Sequence, residues 1–528
     1  MPKVLIADKM SEKAKEIFVE KGLDVDVKTG LDKDELISIA EKYDGIVVRS
    51  STKITEKVLK KASNLKIVGR AGIGVDNIDV DSATENGVVV MNTPFGNAIT
   101  TAEHAIALIL GLMRNLPQAN ISTHEGKWEK SKYMGQEVTG KVLGIIGCGN
   151  IGSIVADRAK GLRMRVLSYD PFLTPERANI LGVKKVELDE LLHQADIISL
   201  HVPMTEQTKN ILNKDTLKKC KKGVKIINCA RGGLIDEEAL VKAIENGNVD
   251  GAAIDVYEVE PAKESILFGN DKIICTPHLG ASTIEAQENV AIQIAEQMSD
   301  YLIEGAVTNA LNMPSISADE APILSPFVKL AEQLGLFAGQ LMLANFDKIE
   351  IEYVGTISDF NCAPITSAAV AGVLKPSLSD INMVSAPSIA KNKGLTISEV
   401  KRDESSAYES YIKVTLHSKK DNFSIGGTVF SDGNPRIVQI NGINLEAELN
   451  RNMLYVTNKD VPGLIGHLGS ILGDQGINIA SFNLGRNAPL KDAMALIGVD
   501  TEINAKVIEN VKKLDSIVTV NSLIFNIK

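Results

Sequence analysis

The sequence lacks several features that mark specialised classes of protein. Its formal net charge of −10 at pH 7 gives no basic excess. A nucleic-acid partner is therefore not expected, because such a partner requires a basic face that neutralises phosphates. No apolar run approaches the length of a membrane span, and the start, Met1-Pro2-Lys3 before a short apolar run, does not have the form of a signal peptide. We expect a cytoplasmic protein without a membrane partner.

Cysteine is also scarce. The five cysteines form no CxxC pair and no cluster with histidine, so we expect reduced thiols and no metal site. The chain has 528 residues, of which 44% are apolar and 23% charged, and is long enough for three or four hydrophobic cores. The cysteines are Cys148, Cys220, Cys229, Cys275 and Cys362.

Up to about residue 310, short β-branched runs alternate with helix-like stretches, the pattern of parallel α/β sheets. An apolar segment from Thr100 to Leu116 separates two sets of runs and predicts a helix that spans a hinge. One face of this helix is predicted to hold Ala105, Leu108, Ile109, Leu112 and Leu116. The predicted strands are Val4–Ala7, Ile46–Arg49, Lys66–Arg70, Val88–Asn92, Val142–Ile146, Arg165–Tyr169, Ile197–His201, Lys225–Asn228, Gly251–Val256 and Ile273–Thr276.

The pattern changes after Pro314. An amphipathic helix is predicted over Phe327–Leu343, followed by mixed strands and a stretch punctuated by proline and serine over Pro364–Pro387. From residue 451 the order βαββαβ predicts a two-layer ferredoxin-like module. The predicted fold class is α/β, with two Rossmann-like doubly wound parallel-sheet domains, then an α+β domain and the ferredoxin-like module. The predicted domains are 1–97 with 284–312, 98–283, 313–450 and 451–528.

A glycine-rich turn follows the strand predicted at Val142–Ile146. Its sequence is Gly147-Cys148-Gly149-Asn150-Ile151-Gly152, the G-x-G-x-x-G pattern in which glycines let the backbone approach a pyrophosphate at a helix N-terminus. Asp170 ends the next strand, 18 residues past the last glycine. A carboxylate at this place accepts hydrogen bonds from the hydroxyl groups of the adenosine ribose and repels a 2′-phosphate. NAD is therefore favoured over NADP. The alternative is a glycine-rich turn that serves packing alone.

Three later strand ends carry groups suited to oxidising an alcohol. His278 is the predicted acid/base, Glu260 the carboxylate that orients its ring, and Arg231 the fork that binds a substrate carboxylate. Singly, each has an ordinary explanation, such as an arginine in a surface ion pair, a glutamate that caps a helix, or a histidine packed under a loop. Their joint placement after a dinucleotide motif favours a hydride-transferring site.

These segments resemble the signatures of D-isomer-specific 2-hydroxyacid dehydrogenases. The resemblance rests on the Gly147 to Gly152 turn, on Ala230-Arg231-Gly232-Gly233-Leu234-Ile235-Asp236 and on Thr276-Pro277-His278-Leu279-Gly280-Ala281. It implies that Arg231, Glu260 and His278 are catalytic. The cofactor residues that the motif and the resemblance together imply are Gly147, Gly149, Asn150, Ile151, Gly152, Asp170, Val202, Cys229, Ala230, Asp255, Gly280 and Ala281.

Two further strand ends bear arginines, Arg49 and Arg70, the second before a glycine-rich turn. Cationic forks beside bare N–H groups suit a phosphate and a carboxylate. The segments are similar to the substrate domain of 3-phosphoglycerate dehydrogenases, which implies oxidation of 3-phospho-D-glycerate to 3-phosphooxypyruvate at the start of L-serine biosynthesis. The predicted substrate residues are Arg49, Ser50, Arg70, Gly72, Ile73 and Gly74.

Alternatives remain open for the substrate. One of the two arginines could pair with a carboxylate at the domain interface instead of binding substrate. The same acid/base group could also serve another 2-oxo acid, such as glyoxylate or 2-oxoglutarate. More remotely, the dehydrogenase scaffold is shared with corepressors that act as NADH-sensing binding modules.

The C-terminal half resembles regulatory domains. Residues 313–450 look like the intervening domain of long 3-phosphoglycerate dehydrogenases, and residues 451–528 resemble an ACT module. The resemblance implies L-serine as effector, bound by Asn458, Asp460 and Asn478, and a homo-oligomer, either a dimer or a tetramer. In the alternative, the turn at Asp460 is an ordinary turn with a helix cap. The segment Gly126–Gly135 resembles the family's dimer arm, which implies that Lys130 and Lys132 reach the phosphate bound by a neighbouring subunit; solvated surface lysines explain the two residues at least as well.

Overall fold

The first sheet is parallel, with five strands and one helix after each of the first four. The computed structural model describes residues 1–317, 319–343, 346–378, 381–402, 407–419, 421–488 and 491–525. The elements are β1 (Lys3–Ile6), α1 (Lys13–Glu20), β2 (Asp24–Val27), α2 (Lys33–Ile39), β3 (Gly45–Val48), α3 (Glu56–Lys61), β4 (Ile67–Arg70), α4 (Val80–Glu85) and β5 (Val89–Met91). Their order is β2-β1-β3-β4-β5. The strand β2 was not predicted, because this edge strand has no buried residue and alternates aspartate with valine.

The second sheet has seven parallel strands in the order β12-β11-β10-β9-β6-β7-β8. Its elements are α5 (Ala98–Met113), α6 (Leu116–His124), β6 (Val142–Ile146), α7 (Asn150–Gly161), β7 (Arg165–Tyr169), α8 (Pro175–Leu181), β8 (Lys184–Lys185), α9 (Leu188–Gln194), β9 (Ile197–Leu200), α10 (Lys214–Lys219), β10 (Val224–Asn228), α11 (Glu237–Glu245), β11 (Val249–Ile254), β12 (Ile273–Cys275) and α12 (Ile284–Glu304). The strand order reverses between β6 and β9, and a ligand crevice is expected outside the carboxyl ends of these strands.

The predicted hinge helix ends earlier than expected. It stops at Met113, and Asn115 has a left-handed backbone with φ of 50° that starts the next helix in a new direction. Four of the five predicted face residues are buried, but Leu116 is 55% exposed. The prediction for Leu116 was therefore wrong, because a single left-handed residue breaks the helical period.

The helix α12 returns the chain to the first sheet. It packs on β4 so closely that a Cβ on Gly69 would lie 2.2 Å from the sulfur of Met298. Beyond it, Asn312 accepts a hydrogen bond from the N–H of Val90 at 2.9 Å and donates to the carbonyl of Val88 at 2.8 Å. Two separate stretches of chain thus complete one core.

The third sheet is mixed, with six strands in the order β14-β13-β15-β16-β17-β18. Its elements are α13 (Ala321–Met342), β13 (Lys348–Gly355), α14 (Ala363–Leu374), α15 (Ala386–Asn392), β14 (Thr396–Arg402), β15 (Ser410–His417), β16 (Asn422–Val429), β17 (Pro435–Ile440) and β18 (Ile443–Ala447). The helix α13 starts before the predicted Phe327 despite Pro326, because Ala321 and Leu324 are buried in this core. The helix α14 tolerates Pro364 because a missing N–H costs nothing in the first turn.

The fourth sheet is antiparallel, in the order β20-β21-β19-β22. Its elements are β19 (Asn452–Lys459), α16 (Leu464–Asp474), β20 (Ile479–Arg486), β21 (Asp492–Val499), α17 (Ala505–Lys512) and β22 (Ile517–Ile524). This arrangement confirms the predicted βαββαβ module and, with the other three sheets, the predicted fold class. Phe337 on α13 packs against Tyr455 and Phe525 with ring centroids 5.5 and 6.1 Å apart, so the third and fourth sheets share one core. None of the described helices has the length and apolarity that crossing a membrane requires.

Candidate active site

The glycine-rich turn after β6 has the shape of a dinucleotide cradle. Gly147 has φ of 95°, and a Cβ there would lie 2.6 Å from Val202 Cγ1. A Cβ on Gly152 would lie 2.0 Å from the carbonyl oxygen of Gly147. A Cβ on Gly149 would meet nothing within 4 Å, so this glycine faces open space at the start of α7. The turn therefore fits a pyrophosphate that approaches the backbone closely.

Asp170 lies directly after β7, beside this turn. Its carboxylate accepts hydrogen bonds from the N–H of Cys148 and of Phe172, both at 2.8 Å. Each oxygen keeps a second lone pair for a ribose hydroxyl. The carboxylate is held at the rim of the cradle, where the sequence places it.

Asp255, at the end of β11, is fully buried and ties the loop after β12 in place. It accepts hydrogen bonds from Thr276 Oγ1 at 2.6 Å, Leu279 N at 2.7 Å and Gly280 N at 2.9 Å. His104 Nε2 lies 3.4 Å from its Oδ1. Burial raises the pKa of Asp255, but the interactions with His104, Thr276 and Leu279 outweigh burial and leave the pKa below its usual value. The buried group is therefore a carboxylate.

The remaining predicted cofactor residues lie around the same strand ends. Cys229, which follows β10, is buried, and burial raises the pKa of its thiol to about 12, so it stays protonated. Its carbonyl oxygen would lie 3.8 Å from a Cβ on Gly280. The others are Asn150 and Ile151 at the start of α7, Ala230 after β10, and Ala281 after Gly280.

His278 and Glu260 form a hydrogen-bonded pair. Nδ1 of His278 lies 2.6 Å from Oε2 of Glu260, while the backbone N–H of Tyr257 donates to Oε1 at 3.0 Å. Burial raises the pKa of Glu260, but the hydrogen bonds from His278 and Tyr257 outweigh burial and lower the pKa overall. The side chain of His278 is 48% exposed. The ring is thus held at one nitrogen by a carboxylate, which leaves Nε2 for another partner.

Arg231 bridges the first and second sheets. Its Nε donates to Oδ2 of Asp76 at 3.1 Å, and a Cβ on Gly74 would lie 1.8 Å from its Nη2. The backbone of Tyr257 passes so close that a Cβ on Gly232 would lie 1.9 Å from the Tyr257 carbonyl oxygen. The Arg231 loop is therefore packed against the segment that leads to Glu260.

Arg70 reaches the same region from β4. Its Nε is buried and has no hydrogen-bond partner among the residues that the structure describes, and a Cβ on Gly72 would lie 2.2 Å from its Nη1. Burial lowers the pKa of Arg70 to about 10, and the charges of Arg231 and Arg49 contribute in the same direction. Within the described part of the chain, neither Arg49 nor Arg70 forms an ion pair. The guanidinium groups of Arg49 and Arg231 lie near enough to Arg70 for their charges to lower its pKa, an arrangement that suits an anionic ligand.

The remaining predicted substrate residues lie beside these arginines. Ser50 is exposed after β3, and Ile73 lies in the loop that follows Arg70. The carbonyl oxygen of Ile73 accepts a hydrogen bond from Asn92 Nδ2 at 2.6 Å.

Comparison with known proteins covers all parts of this arrangement. Residues 106–280 match the family described as D-isomer specific 2-hydroxyacid dehydrogenase, NAD binding domain. Residues 323–441 match the D-3-phosphoglycerate dehydrogenase intervening domain, and residues 452–516 the ACT domain. The chain is 42% identical over 523 residues to D-3-phosphoglycerate dehydrogenase of Bacillus subtilis (strain 168), covering 98% of this chain and 99% of that protein. The enzyme of the same name from Archaeoglobus fulgidus is 43% identical over 521 residues, covering 98% of each chain.

The chain belongs to the D-3-phosphoglycerate dehydrogenase family. It is an NAD-dependent dehydrogenase, as the sequence predicts. The crystal structure of a glyoxylate reductase from Paecilomyes thermophila has a TM-score of 0.55 and 30% identity, covering 59% of this chain and 98% of that one. D-2-hydroxyisocaproate dehydrogenase has a TM-score of 0.54 at 26% identity, covering 58% of this chain and 99% of that one. The intervening and ACT domains account for the length that these two structures do not cover.

In this dehydrogenase the ACT domain holds a cavity of about 420 Å³ between the start of α16 and the end of β20. Asn458 and Asp460 line it. Asn458 is 2% exposed, and its buried Oδ1 has no hydrogen-bond partner in the described part of the chain. Arg486 also lines it and donates to Asp460 Oδ2 at 3.2 Å. The third predicted residue, Asn478, does not line this cavity and instead donates to Asp500 Oδ2 at 2.6 Å.

Sequence reasoning missed several residues of these sites. Asp76 faces Arg231, His104 and Thr276 face Asp255, and Arg486 lies across the ACT cavity from its turn. Thr276 had a signal, because it precedes His278 in the same motif. The others approach from segments distant in sequence, and their residue types alone carried no indication of these contacts.

Proposed function

We propose that this dehydrogenase oxidises 3-phospho-D-glycerate to 3-phosphooxypyruvate with NAD, the first step of L-serine biosynthesis. The observation that carries the proposal is the cluster of Arg49, Arg70 and Arg231, in which the half-buried Arg70 has a buried Nε without a partner and forms no ion pair with any described residue. A substrate with a carboxylate and a phosphate supplies further negative charge to this cluster, in which Asp76 forms an ion pair with Arg231 alone. The 42% identity to a namesake enzyme over nearly the whole chain supports the same substrate.

The acid/base chemistry is assigned to His278. Its Nε2 takes the proton of the substrate's 2-hydroxyl group, while Glu260 holds Nδ1 and stabilises the positive ring. Arg231 binds the substrate carboxylate and polarises the oxygen at C2. The paired Asp76 keeps the Arg231 guanidinium facing the cleft. The site would hold NAD so that its nicotinamide ring supplies the acceptor for the hydride that leaves C2.

The cofactor residues follow from the same geometry. The cradle from Gly147 to Gly152 and the N-terminus of α7 are assigned to the pyrophosphate, and Asp170 to the ribose. Asp255 is assigned a double role: its carboxylate holds the loop of His278, and the family resemblance implies that it also contacts the nicotinamide amide. Closure of the two domains expels water from the cleft and strengthens the arginine contacts.

The ACT cavity is proposed to bind L-serine. The orphan Oδ1 of Asn458 accepts a hydrogen bond from an ammonium group, and Asp460 supplies the charge. The pairing of Asn478 with Asp500 makes it the weakest member of the predicted set. A cytoplasmic location and a dimer or tetramer stay predictions, as do the role of Lys130 and Lys132 and the domain boundaries.

A second candidate function is reduction of another 2-oxo acid. The similarity of 59% of the chain to a glyoxylate reductase, at 30% identity, favours it. The two functions differ in their need for phosphate. Glyoxylate has no group that would occupy a site at Arg49 and Arg70.

The test is NADH formation from NAD with 3-phospho-D-glycerate, D-glycerate or D-2-hydroxyglutarate, each with and without L-serine. The proposal predicts a much higher kcat/KM for the phosphorylated acid and inhibition by L-serine. Equal turnover of all three acids would contradict the proposed substrate. Full activity in saturating L-serine would contradict the proposed effector and leave the substrate assignment intact.

A further inference from the structure

The turn that carries Arg49 is held at both ends by side chains from other segments. Asp8 Oδ2 accepts hydrogen bonds from Arg49 N at 2.6 Å and Thr52 N at 3.1 Å, and Asp8 Oδ1 accepts one from Thr52 Oγ1 at 2.8 Å. On the carbonyl side, Asn77 Nδ2 donates to Arg49 O at 2.7 Å and Thr52 O at 2.6 Å. Asp8 and Asn77 thus form a clamp on the turn: the carboxylate binds the N–H groups of residues 49 and 52, and the amide binds their carbonyl groups.

The two side chains connect the turn to different parts of the site. Asp8 follows β1, whereas Asn77 lies in the loop after β4 that also carries Gly72 and Gly74. The N–H of Ile54 donates to the carbonyl of Asn77 at 2.9 Å, which ties the same two segments a second time. Asn77 therefore fixes the spacing between the loop that follows Arg70 and the turn that carries Arg49.

This arrangement leaves the middle of the turn available for an anion. Among the described residues, none accepts a hydrogen bond from the N–H of Ser50 or Ser51. Successive free N–H groups beside a guanidinium form an anion-binding concavity. Asp8 is 5% exposed and both of its oxygens bond to the turn, so its charge faces inward. That charge also raises the pKa of Arg70, against the opposing effects of burial, Arg231 and Arg49.

We propose that Asp8 and Asn77 are positioning residues that hold residues 49–52 in the conformation that binds the substrate's phosphate group. Both act through the turn, because their polar atoms are occupied by its backbone and by Thr52. The inference rests on the proposed function, since it needs a phosphorylated substrate.

The test compares two disruptive variants with one conservative variant and one matched control. Asn77→Ala removes both carbonyl contacts, and Thr52→Val removes the hydroxyl bond to Asp8 without changing the shape of the side chain. Thr52→Ser keeps that bond. The matched control is Asn64→Ala in the same domain, which removes an amide that donates to the Glu41 carbonyl at 2.9 Å on the surface.

The readouts are kcat/KM for 3-phospho-D-glycerate and for D-glycerate, KM for NAD, and the melting temperature. We expect Asn77→Ala and Thr52→Val to lower kcat/KM for the phosphorylated acid by about 10-fold, mainly through KM. The values for D-glycerate and NAD stay within about twofold, the scatter expected of sites that do not interact. Thr52→Ser and Asn64→Ala behave as the unsubstituted enzyme.

Three results would overturn the inference, and they are distinguishable. Equal losses for both acids in Asn77→Ala and Thr52→Val would mean that the clamp is merely structural. An unchanged preference for the phosphorylated acid in both variants would mean that the clamp does not position the phosphate site. If the unsubstituted enzyme itself showed no such preference, the proposed function would fail, and the inference with it.

Discussion

The contact between Asn382 and Gly87 joins the intervening domain to the first sheet, and its strength can be measured by substitution. Asn382 Nδ2 donates to the Gly87 carbonyl at 2.8 Å, and a Cβ on Gly87 would lie 2.1 Å from that nitrogen. Gly87 has φ of 70°, in the turn from α4 to β5. Gly22 has φ of 83° in the equivalent turn from α1 to β2, and a Cβ there would meet nothing within 4 Å. Alanine at either position would have the same strained left-handed backbone, but only Gly87 takes part in the interdomain contact.

The expected costs follow from this difference. Gly22→Ala should lower the free energy of unfolding by about 1–2 kcal/mol, the cost of a left-handed alanine. Gly87→Ala adds a clash and breaks the hydrogen bond to a buried carbonyl, which brings the total to about 2–5 kcal/mol. In an Asn382→Ala background the clash is absent, so Gly87→Ala should cost no more than Gly22→Ala. The cycle therefore predicts a coupling of about 1–3 kcal/mol between residues 87 and 382.

Urea unfolding followed by far-ultraviolet circular dichroism measures the four variants of the cycle and the Gly22→Ala control. Because a chain of several domains need not unfold in one step, hydrogen exchange of the segment around Gly87 provides a local measurement. Equal costs for the two glycine substitutions, or strictly additive effects in the cycle, would show that the contact contributes no stability. The reasoning from Cβ distances would then be refuted.

Four further predictions concern the site and the cores. His278→Gln should lower the single-turnover rate of NADH formation by about 10²–10⁴-fold with little change in KM, and a normal rate would remove its acid/base role. Asp170→Ala should weaken NAD binding by about 10-fold in calorimetric titration, because it removes a charged acceptor. The depressed pKa of Asp255 means that its stabilisation is present above about pH 4 and is lost as pH falls through the folded-state pKa. Melting temperatures of Asp255→Asn should therefore depend less on pH in that acid range. Phe337→Ala should cost about 3–5 kcal/mol in urea unfolding, whereas Phe172→Ala, at a position that is 92% exposed, should cost less than about 0.5 kcal/mol.

The central strands were predictable because their sequence and their burial agree. The segment Val142–Ile146 is buried at every position, and a continuous β-branched and apolar run is typical of a parallel strand that is buried on both faces. The edge strands β2 and β8 were missed because their side chains are at least partly exposed and carry charge. The end of α5 was misplaced because the left-handed backbone of Asn115 is a local choice that periodicity does not record.

The candidate site was predictable to the extent that topology determines it. Parallel strands bring their carboxyl ends to one edge, which is enough to gather Arg231, Asp255 and His278 from their motifs. The pairing of Arg231 with Asp76 was not predictable, because the two residues are far apart in sequence and meet only where the two domains face each other. Asn77 was not predictable for another reason: its amide binds the turn of Arg49 and Thr52 within the same domain, and the sequence does not show where that turn and its own loop meet.

A continuous series of contacts leads from the ACT domain to the substrate side of the cleft. The ACT sheet packs on α13, so the ACT and intervening domains are expected to move together. The intervening domain contacts the first sheet at Gly87, directly before β5. After β5 comes Asn92, whose amide binds the carbonyl of Ile73 in the loop predicted to bind substrate. Because this path ends on the substrate side of the cleft and not at His278, an effector that acts through it should change KM for the substrate more than it changes kcat.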